Sequence, residues 1–158
     1  MVLATLMYRW QFWVPDSRNY HGELLADGRT LADLGVAAAV PKWQLLVSVP
    51  AACDSDCRQL VYLARQIQIG LGRDAGRAQH GLAGAQPQAV DYEVQLASEY
   101  PQLQRYGLDL ARYGRLAKGV QLWIVDPHGN LVLRYGPGVN GKDVLIDLRQ
   151  LLKLSNIG

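Results

Sequence analysis

Cys53 and Cys57 are the only two cysteines in a chain of 158 residues, and three residues separate them. On a helix, residues at i and i+4 lie one above the other on the same face. Their Cα atoms then sit roughly 6 Å apart, inside the span a disulfide tolerates. Two chemistries are open to such a pair: the thiols can close a disulfide, or two thiolates can hold one soft metal ion. Cys53 belongs at or just before a first helical turn, where orphan N–H groups stabilise a thiolate. Asp54 and Asp56 oppose that effect, because nearby negative charge disfavours another anion. Free cysteine is also an ordinary small core hydrophobe, so position as well as spacing has to make the case for a site.

Two thiolates rarely complete a metal centre, and copper or zinc takes a third ligand, typically His. The chain offers His21, His80 and His128. His21 falls in an early connector and His128 in a turn, and each histidine reads as a surface residue before it reads as a ligand. There is no His-x-Cys, no second cysteine pair, no Gly-rich phosphate loop and no GxSxG elbow. Arg105, Arg112, Arg115 and Lys118 cluster within fourteen residues. No base-reading motif accompanies them, so they read as a solvated helix face and loop. A formal net charge of +2 is likewise too small to imply a nucleic-acid partner.

The elements that must position the cysteines follow from hydropathy. Lys42 to Val49, KWQLLVSV, is bracketed by Pro41 and Pro50 and suits a strand buried on both faces. The next helix carries Cys53, Cys57, Leu60, Val61, Ala64, Ile67 and Leu71 on one stripe. Asp54 and Asp56 fall in its first turn, and Gly70 and Gly72 supply its stop. Ala78 to Ala83 is a weak strand. Val90 to Tyr100 is a helix between Pro87 and Pro101. Leu103 to Gly119 reads as irregular, with a helical turn at Leu108 to Tyr113. VQLWIV (120–125) and LVLRY (131–135) form a β-hairpin around Asp126-Pro127-His128-Gly129-Asn130, where Pro fixes φ and Gly allows positive φ. Lys142 to Leu154 is a final amphipathic helix capped by Asn140. Tyr20 to Val40 reads as a connecting segment, with turn chemistry at Ala26-Asp27-Gly28 and Thr30 capping Leu31 to Leu34.

Strand, helix, strand, helix, hairpin, helix is the order of a thioredoxin-like α/β domain, a central mixed sheet flanked by helices. The cysteines then fall at the carboxyl end of the first core strand, where open α/β sheets gather their sites. With 49% apolar and 19% charged residues, the composition is that of one globular domain with a full core. Two cysteines in a chain of this length are not a disulfide framework. No stretch reaches the ~20 apolar residues of a spanning helix. Met1 to Val14 nevertheless crowds Tyr8, Trp10, Phe12 and Trp13 around Arg9, a composition suited to the interfacial end of a membrane helix or to a packed segment of the domain. Pro15 to Asn19 breaks it off. The expected division is residues 1–20 as an aromatic segment, the remnant of an anchor plus linker, and 21–158 as the domain.

KWQLLVSVPAACDSDC with its apolar helix, then LWIVDPHGNLVLRYGPG and a Leu-rich terminal helix, resembles the Sco/SenC-type proteins over about Lys42 to Leu154. The resemblance implies a membrane-anchored, thioredoxin-like assembly factor for the copper centre of cytochrome c oxidase, on the periplasmic side of a bacterial inner membrane. Its partners would be a respiratory oxidase subunit or that subunit's copper chaperones. Cys53 and Cys57 would match the family's redox-active, copper-binding cysteines. Two departures stand out. The second cysteine is followed by Arg58 instead of the family's usual Pro. Arg105 to Gly119 contains no His, whereas the family's third copper ligand is a His shortly before the hairpin. Copper at Cys53 and Cys57 would then need a ligand from elsewhere. Ordinary thioredoxins share a CxxC and a cis-proline before the hairpin strand, and Lys118-Gly119-Val120 offers no proline. Three functions are therefore open: a thiol–disulfide oxidoreductase in oxidase assembly, a copper chaperone, and a non-catalytic interaction protein.

Overall fold

The run expected to be most buried forms the middle of the fold. The structure is a computed structural model and describes residues 20–25, 28–36 and 42–154. Strand β2 (Trp43–Val49) is buried along its whole length. It pairs in parallel with β3 (Ala78–Gly84) and antiparallel with β5 (Gln121–Val125). Strand β6 (Leu131–Tyr135) completes the hairpin with β5. Two short strands close the edges, β1 (Glu23–Leu24) on β6 and β4 (Gln104–Gly107) on β3. The order β1-β6-β5-β2-β3-β4 makes a six-stranded mixed sheet, the thioredoxin-like architecture expected from the element order.

Alternation along β2 divides the core into two layers. Trp43, Leu45, Val47 and Val49 face a layer built with helices α1 (Ser55–Gly70), α2 (Val90–Glu99) and α4 (Gly141–Leu154). Leu46 faces the other, with Trp123, helix α3 (Leu110–Leu116) and the 3₁₀ turn Leu31–Leu34. The hairpin turn is closed by Asp126, whose Oδ1 accepts from the backbone N–H groups of His128 and Asn130 at 2.9 and 2.8 Å. Gly129 there has φ +88°, a conformation that side chains disfavour. Asn140 caps α4 by accepting the Lys142 N–H at 2.9 Å.

Two expectations are corrected. Leu103 to Gly119 is more regular than expected: it holds β4, and the helical turn expected at Leu108 to Tyr113 is part of α3. Strand β4 is QRYG, with most of its residues exposed, so no apolar alternation announces it. The connector from Tyr20 holds β1, which at two residues carries no period to read. Residues 1–19, 26–27 and 37–41 lie outside the described residues, and with them the aromatic segment, the break at Pro15 to Asn19 and most of the Ala26-Asp27-Gly28 turn.

Candidate functional site

The cysteines meet where β2 hands over to α1. Asp54 is the N-cap of α1, not a member of its first turn as expected; its Oδ1 accepts the Cys57 N–H at 3.1 Å. Cys53 therefore lies just outside the helix and folds back onto Cys57. The two form a disulfide with a Cα–Cα distance of 5.0 Å, shorter than two residues stacked on a regular helix would give. Cys57 is fully buried, and Cys53 retains 4% exposure. The residual exposure of the pair is on Cys53, whose neighbours Ala51, Ala52 and Asp54 are exposed.

Two side chains hold the Cys53 backbone, and neither is predicted by the cysteine spacing. Gln88, itself 7% exposed, accepts the Cys53 N–H through Oε1 at 2.6 Å. It comes from the turn after β3, and its only sequence signal is a place between Pro87 and α2. Arg58 donates from Nε to the Cys53 carbonyl at 3.1 Å and lies over the Tyr92 ring, 4.3 Å from its centroid. Burial pushes the Tyr92 phenol up to about 12. The N–H groups of Cys53 and Cys57 are thus already engaged by Gln88 and Asp54. The nearby Arg58 cation, bonded to the Cys53 carbonyl, would favour a thiolate once the disulfide opens. The loop before β5 reaches the same end of the sheet. There Trp123 Nε1 donates to the buried Ser48 hydroxyl, which donates to Tyr113, which donates to the Gly119 carbonyl, at 2.7, 2.8 and 2.6 Å.

None of the histidines joins the cysteines. His128 sits in the hairpin turn. His80 is not a surface residue: it is 3% exposed, bonded through Nδ1 to Gln68 Oε1, and burial holds it down to about 4. His21 is partly exposed, yet its Nδ1 meets Asp147 Oδ1 at 2.9 Å, and that hydrogen bond raises its pKa. Among the described residues no group of three or more His, Cys, Asp or Glu could hold a metal ion. The donor set is two sulfurs joined to each other, which does not fit a closed copper centre.

Asp147 marks a second polar centre in the same layer. It is fully buried and collects the His21 N–H at 2.8 Å, the Gly22 N–H at 3.1 Å and the Tyr135 hydroxyl at 2.6 Å. Burial, and then this bond, push the Tyr135 phenol far up. Gly22 is required here, because a Cβ would come within 2.5 Å of the Tyr135 ring. The signal was legible in principle: Asp147 interrupts the apolar stripe of Val144, Leu148 and Leu151.

The backbone geometry has many relatives and the sequence few. The thioredoxin domain of a thiol-disulfide oxidoreductase from Bacteroides vulgatus superposes with a TM-score of 0.54 at 13% identity, over 80% of this chain and 98% of that one. ScoI from Arabidopsis thaliana, solved with copper bound, gives 0.52 at 13% identity, over 70% and 86%. BsSco, from the Sco family of cytochrome c oxidase assembly proteins and described with a disulfide switch, gives 0.51 at 13%, over 73% and 82%. At such identities these likenesses establish the fold. No curated protein matches the chain. No helix among the described residues is long and apolar enough to cross a membrane. The family model that does match spans residues 43–155, from the first residue of β2 past the end of α4. On that span the chain belongs to the family of the transmembrane-like, thioredoxin-like C-terminal domain.

Proposed function

We propose that this chain is a membrane-associated, extracytoplasmic accessory factor for assembly of the copper centre of cytochrome c oxidase, and that it acts as a thiol–disulfide oxidoreductase through Cys53 and Cys57. The observation that carries the reading is the Cys53–Cys57 disulfide at the carboxyl end of the central strand, with the residual exposure on Cys53. The solved Sco proteins and the transmembrane-like family support the cellular setting. Residues 1–20 would face the membrane and 21–158 would form the working domain.

Cys53 is the attacking sulfur and Cys57 the resolving one. The reduced pair passes two electrons to a disulfide on the copper-receiving oxidase subunit or its chaperone. The partner then holds two thiols, and this chain holds the Cys53–Cys57 bond. An upstream dithiol protein restores the reduced pair. In this reading copper stays with the partner, since among the described residues no group of three ligands forms around the cysteines.

Equilibration of the full chain in thiol–disulfide buffers, followed by alkylation and mass spectrometry, tests the chemistry. A single two-electron transition is expected, and a pair that never changes state sinks the reading. A second reading has its own observation: both cysteines are buried, as befits an interaction protein whose disulfide is structural. Oxidase maturation that survives Cys53→Ser with Cys57→Ser but fails on deletion of the whole protein selects that alternative.

A further inference from the structure

The end of the sheet that carries the disulfide also carries a polar cavity of about 660 Å³. Strand register places it there. Ser48, near the end of β2, pairs with Gln121 at the start of β5, and Leu122 pairs with Tyr135 at the end of β6. Both Gln121 and Tyr135 line the cavity. Strand β6 is the second strand from β2, so about 10 Å of sheet edge separates the β6 side of the cavity from the end of β2, the strand that leads into Cys53.

The lining carries Arg115, Lys118 and Arg134, together with His21, against the one carboxylate of Glu23. Two of these are already answered. Arg134 Nη2 bonds both Glu23 oxygens at 2.7 and 2.8 Å. His21 is held by Asp147. Arg115 and Lys118 are exposed, and among the described residues neither side chain has a hydrogen-bond or ion-pair partner. Two unanswered charges on one rim attract an anion. The distance to the disulfide end matches about three extended residues, so one bound segment can place a carboxylate in the cavity and a cysteine at Cys53.

We propose that this cavity receives an acidic side chain of the partner that exchanges thiols with Cys53, about three residues from the partner's reacting cysteine. The inference rests on the thiol-exchange reading above and names the partner chemistry it selects. In the exchange, the Cys53 thiolate attacks one sulfur of the partner disulfide, whose S–S bond breaks and whose other sulfur leaves as a thiolate. The Cys57 thiolate then attacks Cys53, forms the intramolecular bond and releases the second partner thiolate. Two electrons pass from this chain to the partner.

The test uses the reduced full chain and short peptides closed by a disulfide, flanked by Glu, Gln or Lys at the stated spacing. At low salt the Glu peptide is expected to be reduced about tenfold faster than the Gln peptide, with the Lys peptide slowest. Added salt shrinks the advantage, and Arg115→Gln with Lys118→Gln removes it. Equal rates for the Glu and Gln peptides, or an advantage untouched by the double variant, overturn the proposal. Should no peptide be reduced, the thiol-exchange reading fails by itself, and binding of a cysteine-free Glu peptide decides the cavity. Saturable binding lost in the double variant upholds it. Binding of phosphate alone, or of nothing, overturns it.

Discussion

Two polar centres are set into the same apolar layer, and they hold the chain in opposite ways. The Cys53–Cys57 link is covalent but joins residues only four apart. The Asp147 centre is non-covalent, yet it ties α4 to His21 and Gly22, 126 and 125 residues away. A short loop gains little chain entropy from closure, so the strong bond sits where it stabilises least, and the weaker bonds sit where the fold needs them. The proposed redox role requires a disulfide that can open without unfolding the domain, and a four-residue loop meets that requirement. That contrast is what makes a redox role for the pair compatible with a stable domain.

The sharpest way to break the contrast is to remove Asp147. Asp147→Ala leaves the buried Tyr135 hydroxyl and two backbone N–H groups without their acceptor. The expected cost is about 3–5 kcal/mol, read as a lowered midpoint in urea unfolding. A cost below that of reducing the disulfide would reverse the ranking of the two centres.

His80, behind the disulfide helix, gives a slightly smaller effect with a definite sign. Its folded pKa is lowered to about 4 from an ordinary 6.5. Above 6.5 neither state binds the proton and His80 contributes no pH dependence. As pH falls from 6.5 toward 4, the unfolded chain takes up a proton that the native core refuses, so stability drops. At about 1.4 kcal/mol per unit, the loss reaches roughly 3 kcal/mol near pH 4. Urea titrations from pH 7 to 4 should show this slope in the wild type and a flatter one in His80→Gln. Equal slopes would place the acid sensitivity elsewhere.

The third effect belongs to the disulfide. Closing so small a loop is worth about 2 kcal/mol in the chain-entropy account. Reduction, or Cys53→Ser with Cys57→Ser, should lower stability by that amount and leave the far-ultraviolet circular dichroism unchanged. Loss of fold on reduction would make the bond structural and favour the interaction-protein reading.

Local patterns made most of this legible. The KWQLLVSV run, the helical stripe from Cys57 to Leu71, the Pro-His-Gly turn and the Asn140 cap each encode their element within a few residues. The edge strands β1 and β4 escaped because they are short or polar and owe their existence to a neighbouring strand. The site divides the same way. Cys53, Cys57 and Asp54 are neighbours in sequence and were visible together. Gln88 and Asp147 act across long separations, and a glutamine or aspartate in isolation does not say what it will face. The burial of His80 is not legible in sequence, because β3, with its Gly81 and its polar Gln79, shows little of the pattern of a buried strand.

The smallest expected effect bears most directly on chemistry. The backbone N–H groups of Cys53 and Cys57 are taken by Gln88 and Asp54, and Arg58, bonded to the Cys53 carbonyl, is the neighbouring cation proposed to favour a Cys53 thiolate. Arg58→Gln should slow alkylation of reduced Cys53 at neutral pH about tenfold, since one displaced charge is worth about a unit in the thiol's equilibrium. Arg58→Lys keeps the charge but loses the flat stacking on Tyr92 and the fixed bond to the Cys53 carbonyl, so it should recover only part of the rate. A purely structural Arg58 would alter unfolding midpoints and leave the pH profile of alkylation where it was. If that is the result, the thiolate is governed by Asp54 and the helix start, and the disulfide end of the molecule is electrostatically less prepared for exchange than its place in the fold suggests.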